Sequence, residues 1–206
     1  MARYGFAFDL KACMGCHTCT IACKQANNLP NGVMWNTVKT EGGNSFDAVG
    51  GSYPTSLVMV NWPINYQHCD KPACVAVCPT GASYIDTDTG IVRIKTEECI
   101  GCESCIAACP YDVRTLVKNP TWSVDFAVGD YDAPKHVAGT VGKCQGCYNR
   151  IARGEVPACI ELCPGRARWW GDLDDPNSEV SQIIKSRTCV TLKPEAGTAP
   201  RVFYLK

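Results

Sequence analysis

The chain carries no net charge: twenty Lys and Arg offset twenty Asp and Glu, and the pI is near 6.8. With no basic run, it offers nothing to attract nucleic acid or an anionic lipid surface. Histidine is scarce, at three residues, which leaves little for a His-based metal site. Long apolar runs are missing too. The most apolar window, SLVMVNWPI at 56–64, is about half of what crosses a bilayer. The opening residues, MARYGFAFDL, lack a charged region followed by an apolar stretch and a small-residue cleavage site, and they hold no twin-Arg pair. These absences predict a soluble or peripheral protein. Cysteine, by contrast, is abundant: sixteen in 206 residues. At this length, in tight C-x-x-C clusters, such a density points to metal rather than to a disulfide framework.

Aligned by spacing, the cysteines form an internal repeat. The first motif is Cys13, Cys16, Cys19 and Cys23, and the third is Cys99, Cys102, Cys105 and Cys109; both read C-x2-C-x2-C-x3-C. The fourth, Cys144, Cys147, Cys159 and Cys163, reads C-x2-C-x11-C-x3-C. The second has Cys69, Cys74 and Cys78 only, and Tyr66 stands where the repeat would place its first cysteine. Pro79, Pro110 and Pro164 follow the last cysteine of motifs two, three and four. Between the motifs, RYGFAFDL and Ser56–Trp62 alternate as strands do. Tyr84–Asp86 and Ile91–Ile94 predict a hairpin around Gly90, and the residues after each third cysteine predict short helices. Asp175 and Pro176 suit an N-cap and first helical residue for a helix to about Ser186. Thr37–Tyr53 and Asn119–Val141 read as polar surface loops. The expected class is α+β and loop-rich.

An iron–sulfur cubane needs thiolates converging from several sides, with backbone N–H groups to hydrogen-bond its sulfides. The C-x2-C-x2-C-x3-C-P run is the bacterial ferredoxin signature, and its fourth cysteine ligates the other cluster of a pair. Motifs two and three, separated by a hairpin, then pair in the centre, and motifs one and four wrap around them. Cross-ligation predicts cluster 1 on Cys13, Cys16, Cys19 and Cys163, and cluster 2 on Cys23, Cys144, Cys147 and Cys159. Cluster 4 takes Cys78, Cys99, Cys102 and Cys105. Cluster 3 is left with Cys69, Cys74 and Cys109, three thiolates and Tyr66. Zinc is the bland alternative, but runs of this spacing are unusual for it.

The stretches DLKACMGCHTCTIACKQAN, HCDKPACVAVCPTGASY, CIGCESCIAACPYDVR and KCQGCYNRIARGEVPACIELCPGRAR resemble, in order and spacing, the four-cluster iron–sulfur subunit of the dimethyl sulfoxide reductase superfamily, the molybdenum bis-pterin oxidoreductases. The ending, WGDLDDPNSEV with LKPEAGTAPRVFYLK, is most similar to the polysulfide, thiosulfate and arsenate reductase branch. Tyr66 is the departure, since the family usually has cysteine there. The resemblance implies one iron–sulfur subunit over 1–206 built from two tandem bacterial-ferredoxin-like modules. The central module is 56–115, the outer one 1–36 plus 140–172, and 173–206 forms a C-terminal helix and strand extension. It also implies a non-catalytic electron wire between a large molybdopterin catalytic subunit and a membrane anchor, quinone-linked enzyme or soluble redox partner. The motif-one cluster is expected nearest the catalytic subunit, and the Cys99 cluster at the far end. The expected place is peripheral at the cytoplasmic membrane, with export alongside a twin-Arg partner or a cytoplasmic location both open. A free-standing polyferredoxin and a zinc-binding structural protein are the competing readings.

Three readings of cluster 3 stay open. A [3Fe–4S] cluster, lacking the iron at the empty corner, is preferred, beside three [4Fe–4S] clusters. A fourth [4Fe–4S] could instead bind Tyr66 phenolate, Asp70 or solvent, although phenolate is disfavoured by its ordinary pKa near 10. An empty site is the third. His17 and His68 flank ligand cysteines without being expected ligands. Lys11, Lys24, Lys71, Lys143 and Arg150 lie near motifs, where cations favour the more negative reduced state. The run RWWG at 168–171 reads as core aromatics or a cluster shield, and Cys189 as an inert buried residue.

Overall fold

A computed structural model describes residues 2–41 and 49–206. Its framework is a mixed sheet. Strand β1 (Tyr4–Asp9) alternates aromatic residues with Gly5, Ala7 and Asp9, so each face has its own packing partner. The remaining elements, in chain order, are α1 (Thr18–Ala26), β2 (Asn36–Thr40), β3 (Asn61–Asn65), α2 (Ala73–Ala76), β4 (Ser83–Ile85), β5 (Val92–Ile94), α3 (Ser104–Ala107), β6 (Thr115–Val117), β7 (Thr140–Gly142), α4 (Tyr148–Ala152), α5 (Ala158–Glu161), β8 (Arg168–Asp172), α6 (Glu179–Ser186), β9 (Cys189–Val190) and β10 (Val202–Leu205). The sheet runs β8-β1-β10-β9. β1 lies parallel to β10, with Phe6 opposite Val202, and antiparallel to β8, with Phe6 opposite Trp170.

One face of this sheet, through Phe6, Phe8, Val202 and Tyr204, packs against Cys19 and Cys159. The other, through Ala7 and Leu205, packs against Val180 of α6. The C-terminal strand therefore lies inside the sheet, and it helps wall the side of the protein that holds the cysteines. A second core gathers Trp35, Tyr66, Val92, Ile94 and Val141 with Cys23, Cys74, Cys105 and Cys144. Cysteine is as much a core residue here as leucine. Among the described residues, no helix is long and apolar enough to cross a membrane.

Several local expectations shift. The predicted Ser56–Trp62 strand lies further along, at Asn61–Asn65, where alternate residues are buried against β2; Ser56–Met59 are exposed, and Val58 makes an isolated bridge to Gly50. The Thr37–Tyr53 loop is a strand at its start, because β2 pairs with β3 through Thr40 and Asn61; its residues 42–48 lie outside the described residues. Thr140 and Val141 likewise belong to β7, which pairs with β6. The last helix starts later than predicted. Ser178 is its N-cap, its Oγ accepting from the Ser181 N–H, while Asp175 closes a turn onto the Asn177 N–H. The hairpin stands, with β4 paired to β5 and Ser83 opposite Ile94.

Candidate metal centres

The cysteine loops repeat in backbone as well as in spacing. Gly15, Gly101 and Gly146, each just before a motif's second cysteine, have φ of 71°, 65° and 67°. Glycine is required here: a Cβ on Gly101 would stand 2.0 Å from the Gly139 carbonyl oxygen, and one on Gly15 2.7 Å from Asn61 Oδ1. His68 holds the same place before Cys69, and it too is left-handed, with φ of 44°. The loop of motif two thus keeps the turn of the others although Tyr66 has replaced the leading cysteine. Two of the one-turn helices, α2 and α5, follow Pro72 and Pro157. With α3 they carry the third cysteines Cys74, Cys105 and Cys159 and turn the chain toward the fourth.

The folded chain brings the predicted sets together across long sequence separations. Cys13, Cys16, Cys19 and Cys163 line one cavity. Cys78, Cys99, Cys102 and Cys105 line another. Tyr66, Cys69, Cys74 and Cys109 line a third. Cys23, Cys144, Cys147 and Cys159 are all buried, and the other three each push the Cys23 thiol pKa further up. All sixteen cysteines are free. Among the described residues, no three His, Cys, Asp or Glu side chains are arranged to hold a single metal ion. Thiols spread around a cavity suit a multi-iron cluster better than zinc, which draws its four ligands to about 2.3 Å.

Burial governs the acid–base chemistry of these thiols. Buried, and beside one another, Cys144 and Cys147 are pushed up to about 11 and Cys159 to about 12. Without bound metal they are neutral thiols at pH 7, and cluster assembly must displace their protons. Backbone donors already point at sulfur: Val141 N–H at Cys99 Sγ, Gly146 N–H at Cys144 Sγ and Ser83 N–H at Cys78 Sγ, each at 3.4 Å. Asn27 Nδ2 lies 3.7 Å from Cys23 Sγ and 3.9 Å from Cys147 Sγ.

Tyr66 is buried, with its Oη 2.8 Å from Cys74 Sγ and 3.3 Å from Arg114 Nη2. Burial, then the neighbouring Cys74, holds its phenol well above the usual range despite Arg114. The phenol is therefore neutral, and toward a Cys74 thiolate it is the O–H donor. Asp70, the other non-cysteine ligand considered, is not among the cavity's lining residues and pairs with Arg3 at 3.1 Å and Arg201 at 3.3 Å. His68 is fully buried and kept neutral by that burial, edge-on to Tyr66, with Nε2 3.9 Å from Cys144 Sγ.

Of the five cations near motifs, Lys143 is the one drawn into the interior. Its Nζ donates to the Val92 and Cys144 carbonyls and lies 4.2 Å from the Tyr66 ring centre. Lys24 instead satisfies the Leu29 and Pro30 carbonyls, Arg150 pairs with Asp130 and Glu161, and Lys11 and Lys71 are exposed. Trp169 and Trp170 of the RWWG run are framework residues, Trp170 stacking on Tyr4 at 4.7 Å. Cys189 is half-buried in β9 beside the sheet core. Two residues that sequence reasoning passed over stand among the cysteines: Arg114 donates to Cys74 Sγ and Arg168 to Cys19 Sγ, each at 3.0 Å. The signal was present as a second repeat, C-P-x3-R, after Cys109 and after Cys163.

The family model for a 4Fe-4S dicluster domain matches residues 57–124 and 128–173, and one for a 4Fe-4S binding domain matches 10–32. The iron–sulfur subunit of a candidate dimethyl sulfoxide reductase from Halobacterium salinarum is 40% identical, over all of this chain and 79% of the relative. The iron–sulfur subunit ArrB of the arsenate respiratory reductase of a Shewanella species is 37% identical, over 99% of this chain and 96% of the relative. Protein NrfC of Escherichia coli is 37% identical, over 98% of this chain and 79% of the relative. With cysteine loops of this geometry, and with the dicluster model and these relatives matching along it, the chain belongs to the 4Fe-4S dicluster family of electron-transferring iron–sulfur subunits of molybdenum bis-pterin oxidoreductases.

Proposed function

We propose that the chain is a wire of four iron–sulfur centres in two tandem ferredoxin-like modules, ordered cluster 1, 2, 3, 4. The central module is 56–115 and the outer one 1–36 with 140–172, with 173–206 completing the sheet. The carrying observation is the grading of burial along neighbouring thiol sets. Cys16 and Cys102 are exposed, at opposite ends of that order, whereas the sets of Cys144 and Cys74 between them are more deeply buried. Adjacent sets also touch. Arg168 faces both Cys19 and Cys159, His68 and Lys143 lie between the Cys144 and Cys74 sets, and Arg114 faces both Cys74 and Cys105.

Bound clusters supply one-electron chemistry at each site. The chain holds them at fixed separations, excludes water from the middle two and tunes their potentials. We assign cluster 3 as [3Fe–4S] and the other three as [4Fe–4S]. The neutral Tyr66 phenol, committed to Cys74 Sγ, is poorly placed to act as a fourth iron ligand, and Asp70 is committed elsewhere.

Exposed Met14, at 63%, adjoins Cys13, and exposed Ile100, at 67%, adjoins Cys99. Such apolar residues beside an electron port fit protein partners at both ends. The Cys16 end is assigned to a large molybdopterin catalytic subunit, and the Cys102 end to a membrane anchor or another redox partner. The complex is assigned to the membrane periphery, exported with a twin-Arg partner if it works beyond the cytoplasm. Anaerobic purification with iron counting, co-purification and EPR tests this. The expected result is one iron fewer than four cubanes require, a near-isotropic signal in the oxidised protein, and a large subunit carried along. Four reduced [4Fe–4S] signals would overturn the cluster 3 assignment, and a stable iron-loaded monomer with no partner would favour a free-standing polyferredoxin.

A further inference from the structure

Arg114 and Arg168 are buried, at 4% and 5% exposure, and among the described residues neither pairs with a carboxylate. A lone buried cation is costly unless an anion is close by. The near polar groups are cysteine sulfurs, with the neutral Tyr66 phenol beside Arg114 and the Asn36 amide beside Arg168. Arg114 Nη2 donates to Cys74 Sγ, and its Nε and Nη1 have no partner; Arg168 Nη2 donates to Cys19 Sγ, and its Nη1 has none. Both arginines line cysteine cavities: Arg114 that of Cys78, Cys99, Cys102 and Cys105, and Arg168 that of Cys13, Cys16, Cys19 and Cys163.

Each guanidinium also faces the other cluster of its own module. Arg114 lies beside Cys105 as well as Cys74, and Arg168 beside Cys159 as well as Cys19. Both therefore stand between the third cysteines of two paired motifs, five residues after the cysteine that crosses over. The other two crossing cysteines, Cys78 and Cys23, have Ser83 and Asn28 at that spacing. Each module has one such cation.

Resting on the four-centre wire above, we propose that Arg114 and Arg168 are positioning residues that bridge the two clusters of a module and raise the potentials of both together. A planar guanidinium can donate in two directions at once, which a lysine ammonium on one stem does not reproduce. It favours the more negative reduced state of either neighbour, while itself keeping its protons and neither gaining nor losing an electron.

The test is EPR-monitored redox titration of the complex carrying Arg114→Gln or Arg168→Gln. The expected result for Arg114→Gln is a downward shift in the midpoints of clusters 3 and 4, with clusters 1 and 2 unmoved. Arg168→Gln should show the mirror pattern. Arg→Lys variants retain the charge and should restore one member of a pair more than the other. A shift in one cluster only under Gln, in all four, or in none would overturn the proposal. So would loss of iron from the Gln and Lys variants alike, which would make the arginines structural supports. If the unmodified complex lacks four distinct centres, the wire itself fails before any variant is compared.

Discussion

The corner at Cys13 and the corner at Tyr66 share a plan and differ in the side chain that leads each loop and in what surrounds it. Both lead a loop with a left-handed residue two positions on, at Gly15 and His68. Both face an arginine that donates to the third cysteine at 3.0 Å. At Cys13 the corner offers a half-buried thiol, and Arg168 shares its second bond with Asn36 Oδ1 at 3.3 Å. At Tyr66 the corner offers a buried phenol, Arg114 shares its second bond with that phenol, and Lys143 lies against the ring. The second site thus has one thiol fewer and, where the cluster's negative charge keeps Lys143 protonated against the burial that lowers its pKa, one cation more. Both differences favour an added electron, so under the cluster 3 assignment proposed above the centre at Tyr66 is the higher-potential of the two.

The comparison is broken most severely by making the corners alike. Tyr66→Cys should add one iron per chain, abolish the near-isotropic oxidised signal and lower the cluster 3 midpoint, as read by iron analysis and EPR. The lost ring also removes packing worth up to about 3 kcal/mol in the metal-free chain. Unchanged iron content would show that the fourth corner was filled already.

Lys143→Met comes next. The Val92 and Cys144 carbonyls lose their donor, at about 1–3 kcal/mol of stability in thermal unfolding. The midpoints of clusters 2 and 3 should fall while cluster 4 stays in place, and a shift confined to cluster 4 would contradict this placement. Tyr66→Phe is subtler. It keeps the ring and removes the O–H donor to Cys74, so iron content should hold and the cluster 3 midpoint should fall by on the order of 60 mV, the equivalent of one charge-assisted hydrogen bond of about 1.5 kcal/mol. Loss of an iron in this variant would instead make the phenolate a ligand.

The smallest effect concerns the approach to Cys13, which has an anchor of its own. Asp9 accepts from the Lys11 and Ala12 N–H groups and from Arg187. Burial pulls its carboxyl up, but the bonds from Arg187, Ala12 and Lys11 outweigh it and hold the pKa below the ordinary carboxylate value. The stabilisation is complete above about pH 4 and is lost as the pH falls through the lowered folded value. Asp9→Asn should cost about 1.5 kcal/mol at pH 7 and remove that part of the acid sensitivity, seen as a flatter stability profile below about pH 4. An unchanged profile would place the acid sensitivity elsewhere.

Much of the site could be read directly because the C-x2-C loop is a local object. Spacing alone dictates a tight turn, and glycine before Cys16, Cys102 and Cys147 reports the left-handed residue within it. The hairpin of Ser83–Ile85 with Val92–Ile94 was legible for the same reason, being set by a short turn. The Ser56–Trp62 and Asp175 expectations went astray where neighbours had equal local claims. Ser56–Val60 alternate as well as Asn61–Asn65, and Ser178 caps as well as Asp175; pairing with β2 and docking of α6 on the sheet chose between them.

By itself, the order of cysteines determined the chemistry of this protein: iron and sulfide, held by repeated motifs, with Tyr66 standing where the repeat would place a cysteine. Those are matters of which ligands a short loop can present, and short loops are written in consecutive residues. Only the tertiary structure decided that Tyr66 is a buried donor to Cys74, that Lys143 beside the fourth motif lies against its ring, and that Arg114 and Arg168 stand between paired thiol sets. Their positions depend on packing between segments far apart in the chain, such as β1 beside β10. No period or spacing encodes such contacts, because burial of the whole core selects them together.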